Sequence, residues 1–281
     1  MLFGPFRKGQ LASVSLVAIS SVLLSAGASA QDATIDNDRT STVSSTDEIG
    51  TGSGTLTLDG GGSVAVTSGS AIILDGPHNL VLTGDISSAD IAAGRGLLVD
   101  ASTAAIQADI QLDGLMTVGD DSDSFDETLA SDVAGVLIEG DFGYTGDLTL
   151  TENADLDIFG ADARGIWVKS AMTGDIVNDG QITVEGDGAV GIQIDGMTGD
   201  FVNTGSVHSR NLSGRGIYIN GELDGAFVHR GSIQNGLSET TDDDGNAVDA
   251  KPGIAAVHVT DNITGGMLFD GIGEDNELDL N

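Results

Sequence analysis

The segment Gly174-Asp175-Ile176-Val177-Asn178 returns 25 residues later as Gly199-Asp200-Phe201-Val202-Asn203, and returns again as Gly225-Ala226-Phe227-Val228-His229. A unit this short cannot bury its own apolar face. Each copy must therefore be one turn of a stack whose neighbours supply the core.

Aligning the units by their glycines sorts the side chains into columns. Ile166, Ile192, Ile217 and Val257 make one column, and Val168, Ile194, Ile219 and Val259 make another two positions later. Branched aliphatics at alternate positions mark a short strand with one face inward. The residues between them, Trp167, Gln193, Tyr218 and His258, form an outward column. A second strand is marked by Ile182, Val207 and Ile233, and a third by Ile176-Val177, Phe201-Val202 and Phe227-Val228. The pattern extends backward through Gly135-Val136-Leu137-Ile138 and Gly96-Leu97-Leu98-Val99, with further rung sides at Asp147–Leu150 and Asp109–Leu112. Short strands broken by Gly, Asp and Asn predict an all-β, right-handed parallel β-helix with one repeat per rung. At about 25 residues per rung the chain would make about ten rungs, about 45 to 50 Å long at the spacing of paired strands.

Residues 1–30 read as an export signal, with Arg7 and Lys8 ahead of an apolar run from Leu11 to Leu24 and a small-residue cleavage site at Ala28-Ser29-Ala30. The run is too short to span a bilayer as a helix. Residues 31–281 then form one solenoid domain whose last rung, at Met267-Leu268-Phe269, is incomplete, with the acidic tail from Gly273 as its expected cap. The whole chain has 10 basic and 44 acidic residues, a net charge of −34, and the signal holds no acidic residue. Such a field repels phosphate backbones and anionic headgroups, which excludes nucleic acid as a partner. Cys is absent, so the exported fold is held without disulfides.

Clustered carboxylates are the densest set of ligand atoms. Asp120, Asp121, Asp123 and Asp126 lie in one insert, and Asp242, Asp243 and Asp244 in a second that stretches one repeat to 40 residues. Both inserts are candidate calcium loops, although neither has the register of an EF-hand. The bland alternative is a solvated acidic loop. Trp167 and Tyr218, outward on one face, are a candidate aromatic patch for stacking a sugar; two exposed aromatics are also ordinary on a strand surface. Asp175 and Asp200 sit beside glycines at a corner, where a turn role is expected. The four histidines show no metal spacing, no serine-hydrolase elbow is present, and no catalytic residue is assigned. Asn178 and Asn203 are expected to stack as an amide ladder, with His229 as a substitute rung.

Units such as Gly174-Asp175-Ile176-Val177-Asn178-Asp179-Gly180-Gln181-Ile182-Thr183-Val184, followed by Ala189-Val190-Gly191-Ile192-Gln193-Ile194, together with the export signal, the acidity and the absence of Cys, resemble the passenger domains of alpha-proteobacterial autotransporters. The resemblance implies a β-helical stalk that reaches the periplasm, crosses an outer-membrane barrel, and is displayed at the cell surface or released as an adhesin-like protein. Members of that family carry the barrel at their C-terminus; here the sequence ends at Asp279-Leu280-Asn281 without the alternating strands of a barrel, so the translocation barrel is expected as a separate partner. A surface glycan or protein is the expected ligand. The rival readings are a polysaccharide-active lyase or hydrolase on the same fold, which would need carboxylates converging on one strand face beside a basic residue, and a calcium-stabilised stalk.

Overall fold

Each repeat contributes one coil of a parallel β-solenoid in the computed structural model, which describes residues 31–89, 92–119, 132–211, 213–237, 240–241, 247–248, 251–252 and 255–270. Coil 6 runs through four short strands, Met172–Thr173, Ile176–Asn178, Gln181–Glu185 and Val190–Ile194. Coil 7 repeats them as Met197–Thr198, Phe201–Asn203, Ser206–Arg210 and Arg215–Ile219. Ile176 pairs with Phe201, Ile182 with Val207 and Ile192 with Ile217, all in parallel register. Stacking these pairs builds long faces: the first, through Ile176–Asn178, has nine strands, and the third, through Val190–Ile194, has eight. The second face ends with Lys251–Pro252, which joins antiparallel to Gly236 and Leu237.

The third face thus counts eight coils, and about seven turns separate the first from the last, fewer than the ten rungs expected. The shortfall lies in the uneven intervals. Equivalent corner positions are 25 residues apart between Asp175 and Asp200, but 30 between Asn79 and Asp109, 38 between Asp109 and Asp147, and 40 between Asp224 and Thr264. Both acidic inserts fall in the two longest intervals. A stack of seven steps is about 34 Å tall at the spacing of paired strands.

A second departure is a fourth face. Two-residue strands from Ile106–Gln107 to Leu223–Asp224 form a five-stranded sheet between the third and first faces of coils 4 to 8. Between coils 1 and 2 a one-turn helix, α1 (Ser45–Ile49), connects the third face to the first instead. Its N-cap Ser44 accepts a hydrogen bond from the Asp47 amide, leaving fewer unsatisfied donors in the first turn.

The interior is a set of aliphatic columns. Ile166, Ile192, Ile217, Val168, Ile194 and Ile219 are wholly buried, each adding roughly 1.5–3 kcal/mol over an exposed side chain. On the first face Phe201 and Phe227 stack with ring centroids 5.0 Å apart. The glycines Gly165, Gly191 and Gly216 form a column for a steric reason: a Cβ at these positions would overlap Ile182, Val207 and Ile233 of the second face, respectively, along with a carbonyl of the next coil. Their bareness lets the branched aliphatics fill the corner.

Polar side chains tie one coil to the next. The Asp147 amide donates to Asp109 Oδ1 at 3.1 Å, the Asp175 amide to Asp147 Oδ1 at 2.8 Å, and the Asp200 amide to Asp175 Oδ1 at 2.8 Å. The column starts with Asn79, whose Oδ1 accepts from the Asp109 amide, and ends where Ala226 donates to Asp200. These corner carboxylates therefore satisfy the amide of the following coil and not their own turn. An amide oxygen serves as well as a carboxylate at Asn79.

Gly191→Ala is expected to lose about 2–4 kcal/mol in thermal or urea unfolding, because backbone and a branched side chain both occupy the space, whereas Gly60→Ala stays within about 0.5 kcal/mol. Asp175→Ala is expected to cost about 0.5–1 kcal/mol by removing the acceptor of the exposed Asp200 amide, which water then takes over, and Asp175→Asn to restore most of it. Equal losses for alanine and asparagine would show that the carboxylate acts by charge rather than as an acceptor.

Candidate functional site

The third face carries the densest group of interacting polar and aromatic side chains. Its outward column runs Leu98, Leu137, Trp167, Gln193, Tyr218 and His258, each paired with the next in parallel register. Beside it Arg95, Arg164 and Arg215 recur at every second coil, with Ala134, Val190 and Ala255 at the intervening ones. On the other side Glu139, Lys169 and Asp195 complete a strip three side chains wide.

The members of this strip bind one another. Trp167 donates its indole N–H to Asp195 Oδ2 at 2.8 Å; Gln193 and Asn220 donate to the other oxygen at 2.9 and 3.3 Å. The Arg164 guanidinium lies 5.6 Å and the Lys169 ammonium 5.1 Å from the Trp167 ring centre. Arg164 Nε donates to Gln193 Oε1 at 2.7 Å, and Nη1 donates to the carbonyls of Asp162, Ala163 and Gly188. Burial holds the Arg164 guanidinium below its usual range, against the opposing pull of Asp162, Asp132 and Asp195. Two coils on, Arg215 lies 4.6 Å over Tyr218 and donates from Nε to His258 Nδ1 at 2.6 Å. The Tyr218 and His258 rings stack at 5.1 Å, and the Tyr218 hydroxyl donates to Asn220. Trp167 and Tyr218 are thus in one registered column, and each ring is engaged by the protein's own cations or imidazole.

The second face holds a different set. Asp157, Thr183, His208 and Gln234 succeed one another in register, as do Phe159, Glu185 and Arg210. Arg210 and Glu185 approach to 3.9 Å, with Glu185 nearly buried and Arg210 half exposed. Burial pushes the Asp157 carboxyl up, reinforced by Asp155 and opposed by Arg210. Burial and then Arg210 push the His208 imidazole down. This is the one place among the described residues where carboxylates with a perturbed member meet a basic side chain on a strand face.

A serine, a histidine and an aspartate also meet, beside α1. Ser45 Oγ lies 2.9 Å from His78 Nδ1 and 3.1 Å from Asp75 Oδ1, while His78 Nε2 donates to the Gly52 carbonyl at 2.8 Å. The serine sits between the other two, the imidazole is capped by a carbonyl, and Ser45 and His78 are completely buried. A hydrolytic triad needs the imidazole in the middle and an exposed hydroxyl, so this trio is a structural clamp. Burial pushes Asp75 up, but donors from Ser44, Thr46 and Ser45 outweigh it and hold the carboxyl below its usual range.

Asp120, Asp121, Asp123, Asp126, Asp242, Asp243 and Asp244 lie outside the described residues. In chain order their inserts both connect a second-face strand to a third-face strand, in coils 4 and 8. Among the described residues no three His, Asp or Glu are placed to hold a metal ion. Comparison with protein-family models, with curated proteins and with solved structures finds no match to this chain.

The single tryptophan makes the strip easy to follow. Asp195→Ala removes the acceptor shared by three donors; it is expected to shift Trp167 emission to the red and to cost about 1–3 kcal/mol, while Asp195→Asn retains a share of both. Unchanged emission in Asp195→Ala would mean that the Trp167 bond is not formed in solution.

Proposed function

We propose that the chain is the passenger part of an autotransporter-type system: a right-handed parallel β-helix that acts as a stalk and adhesin-like surface without chemistry of its own. The observation that carries this reading is the self-pairing of the third face. Its aromatics, cations and carboxylates are spent on neighbouring coils, which suits a rod whose surface must hold register outside the cell. Right-handedness follows the general preference of parallel strand–connection–strand units. The segment 1–30 supplies the export signal, and the acidic composition suits a chain that must stay soluble in transit. An outer-membrane barrel is the translocation partner, the cell surface or the medium is the destination, and a glycan or protein is the ligand.

A second reading, a polysaccharide-active enzyme, draws on Asp157, Glu185, His208 and Arg210 on the second face. It assigns Asp157, pushed up by burial, as the proton donor.

Residues 31–281 are expected to unfold in one cation-independent β-sheet transition by circular dichroism, with the same midpoint in EDTA and in added calcium. A large rise with calcium would favour a calcium-stabilised stalk and give the acidic inserts a binding role. Incubation with neutral and acidic polysaccharides is expected to release neither reducing ends nor unsaturated products. Release that disappears in Asp157→Asn would replace the stalk by the enzyme. Fusion of residues 1–30 to a reporter active only outside the cytoplasm is expected to give activity, and silence there would remove the export claim.

A further inference from the structure

At the C-terminal end of the stack a buried column of amides terminates in an imidazole. Asn178 and Asn203, completely buried, and His229 stand in register on the first face in coils 6, 7 and 8. Asn178 Nδ2 donates to Asn203 Oδ1 at 2.7 Å, and Asn203 Nδ2 lies 3.0 Å from His229 Nδ1. Because the Asn203 oxygen is already taken by Asn178, its Nδ2 is the group turned to the imidazole, and Nδ1 must be the bare, accepting nitrogen. Donors therefore point one way along the column, toward the last coil. The other end shows what that direction costs: Asn178 Oδ1 is buried without a partner.

We propose that this column is a proton-sensitive latch for the last coil, closed while His229 Nδ1 accepts from Asn203 and released when that nitrogen takes up a proton. A protonated Nδ1 would set donor against donor. Turning Asn203 to offer its oxygen breaks the bond from Asn178; if Asn178 turns as well, the reversed column regains that bond through Asn178 Oδ1 but exchanges one unpartnered buried oxygen for a buried Nδ2 whose two donors have no acceptor.

The surroundings of His229 give the sign. Its ring packs edge-on against Phe269 at 5.8 Å, and Phe269 packs edge-on against Phe227. The charged groups flanking it are Arg230, next in its own coil, and Asp270, next after Phe269, and these pair with each other at 3.7 Å. Burial pushes the imidazole below its ordinary 6.5, while a contact with the Asn203 main chain pulls the other way without cancelling the effect. The folded coil thus binds the proton less well than the unfolded chain. The stabilisation from His229 is complete above about 6.5 and is lost as pH falls below it. This runs against the rest of the molecule, since a chain at −34 gains from losing negative charge as pH falls.

The strands that would loosen are Phe227–His229 in coil 8 and the edge strand Met267–Phe269 that pairs with it, where Met267 and Leu268 are already exposed. Release therefore uncovers more strand edge and apolar surface at one end only.

The test is amide hydrogen exchange of residues 31–281 at about pH 7.5 and about pH 5.5, corrected for intrinsic rates. Protection in peptides covering 227–229 and 267–269 is expected to fall by up to about tenfold, the limit set by the gap between about pH 5.5 and the ordinary imidazole value, while that of 176–178 holds. His229→Asn, which extends the amide column, is expected to abolish the difference. No loss in the wild-type protein, or an equal loss in His229→Asn, overturns the latch. Nitrogen-15 spectra of the wild-type histidines decide the matter independently of any variant: at about pH 7.5 the His229 ring is expected to carry its proton on Nε2. A neutral ring protonated at Nδ1 overturns the proposal.

Discussion

Everything in this structure depends on parallel main-chain pairing between one coil and the next. No coil has a core of its own, so the aliphatic columns exist only because the register places Ile166 over Ile192 over Ile217. The same register aligns the Asp column that accepts the next coil's amides and the Arg, Trp and Tyr side chains of the third face. A slip of one residue on any face would turn its inward aliphatics to water and break the polar columns together. Register is thus fixed from inside by shape, through the bare glycines Gly165, Gly191 and Gly216, and from outside by hydrogen bonds.

Much of this was legible in the sequence, for reasons that can be named. Columns such as Val168, Ile194 and Ile219 recur at nearly constant spacing between coils 5 and 7, and a constant spacing transmits register directly. Where the intervals lengthen to 30, 38 and 40 residues the spacing no longer says how many coils intervene, and dividing length by repeat overcounts. The fourth face was not legible because its strands are two residues long, and its inward column passes from Ile106 through Tyr144 to Met172 and Met197 and then Leu223, with only the two methionines alike. Tyr144 is buried with its hydroxyl donating to the Ala108 carbonyl at 2.7 Å, a partner 36 residues away in the sequence.

The candidate sites divide along the same line. The outward column of Trp167, Gln193, Tyr218 and His258 could be read from the repeat, but its partners could not. Arg95, Arg164 and Arg215 alternate with small residues, so their column has a two-coil period that a one-coil alignment hides. The clamp of Ser45, Asp75 and His78 falls in the first coils, outside the regular repeat, and left no signal. The second-face set of Asp157, Glu185, His208 and Arg210 was missed because those residues occupy three coils and no single repeat contains two of the same kind.

The stalk reading and the C-terminal latch both treat the molecule as a stack that is strong along its length and weakest at its last coil. The direct test of the underlying register uses the absence of cysteine. Val177 and Val202 are half-buried, directly paired on the outward side of the first face, and Val228 is the next in that column. With Val177→Cys and Val202→Cys combined, mild oxidation is expected to form an intramolecular disulfide rapidly, since paired strands stand within disulfide reach at about 4.8 Å. With Val177→Cys and Val228→Cys, two coils apart at about 9.6 Å, it is expected not to form. Efficient closure of the second pair, or failure of the first in folded protein, would contradict the register on which the account rests.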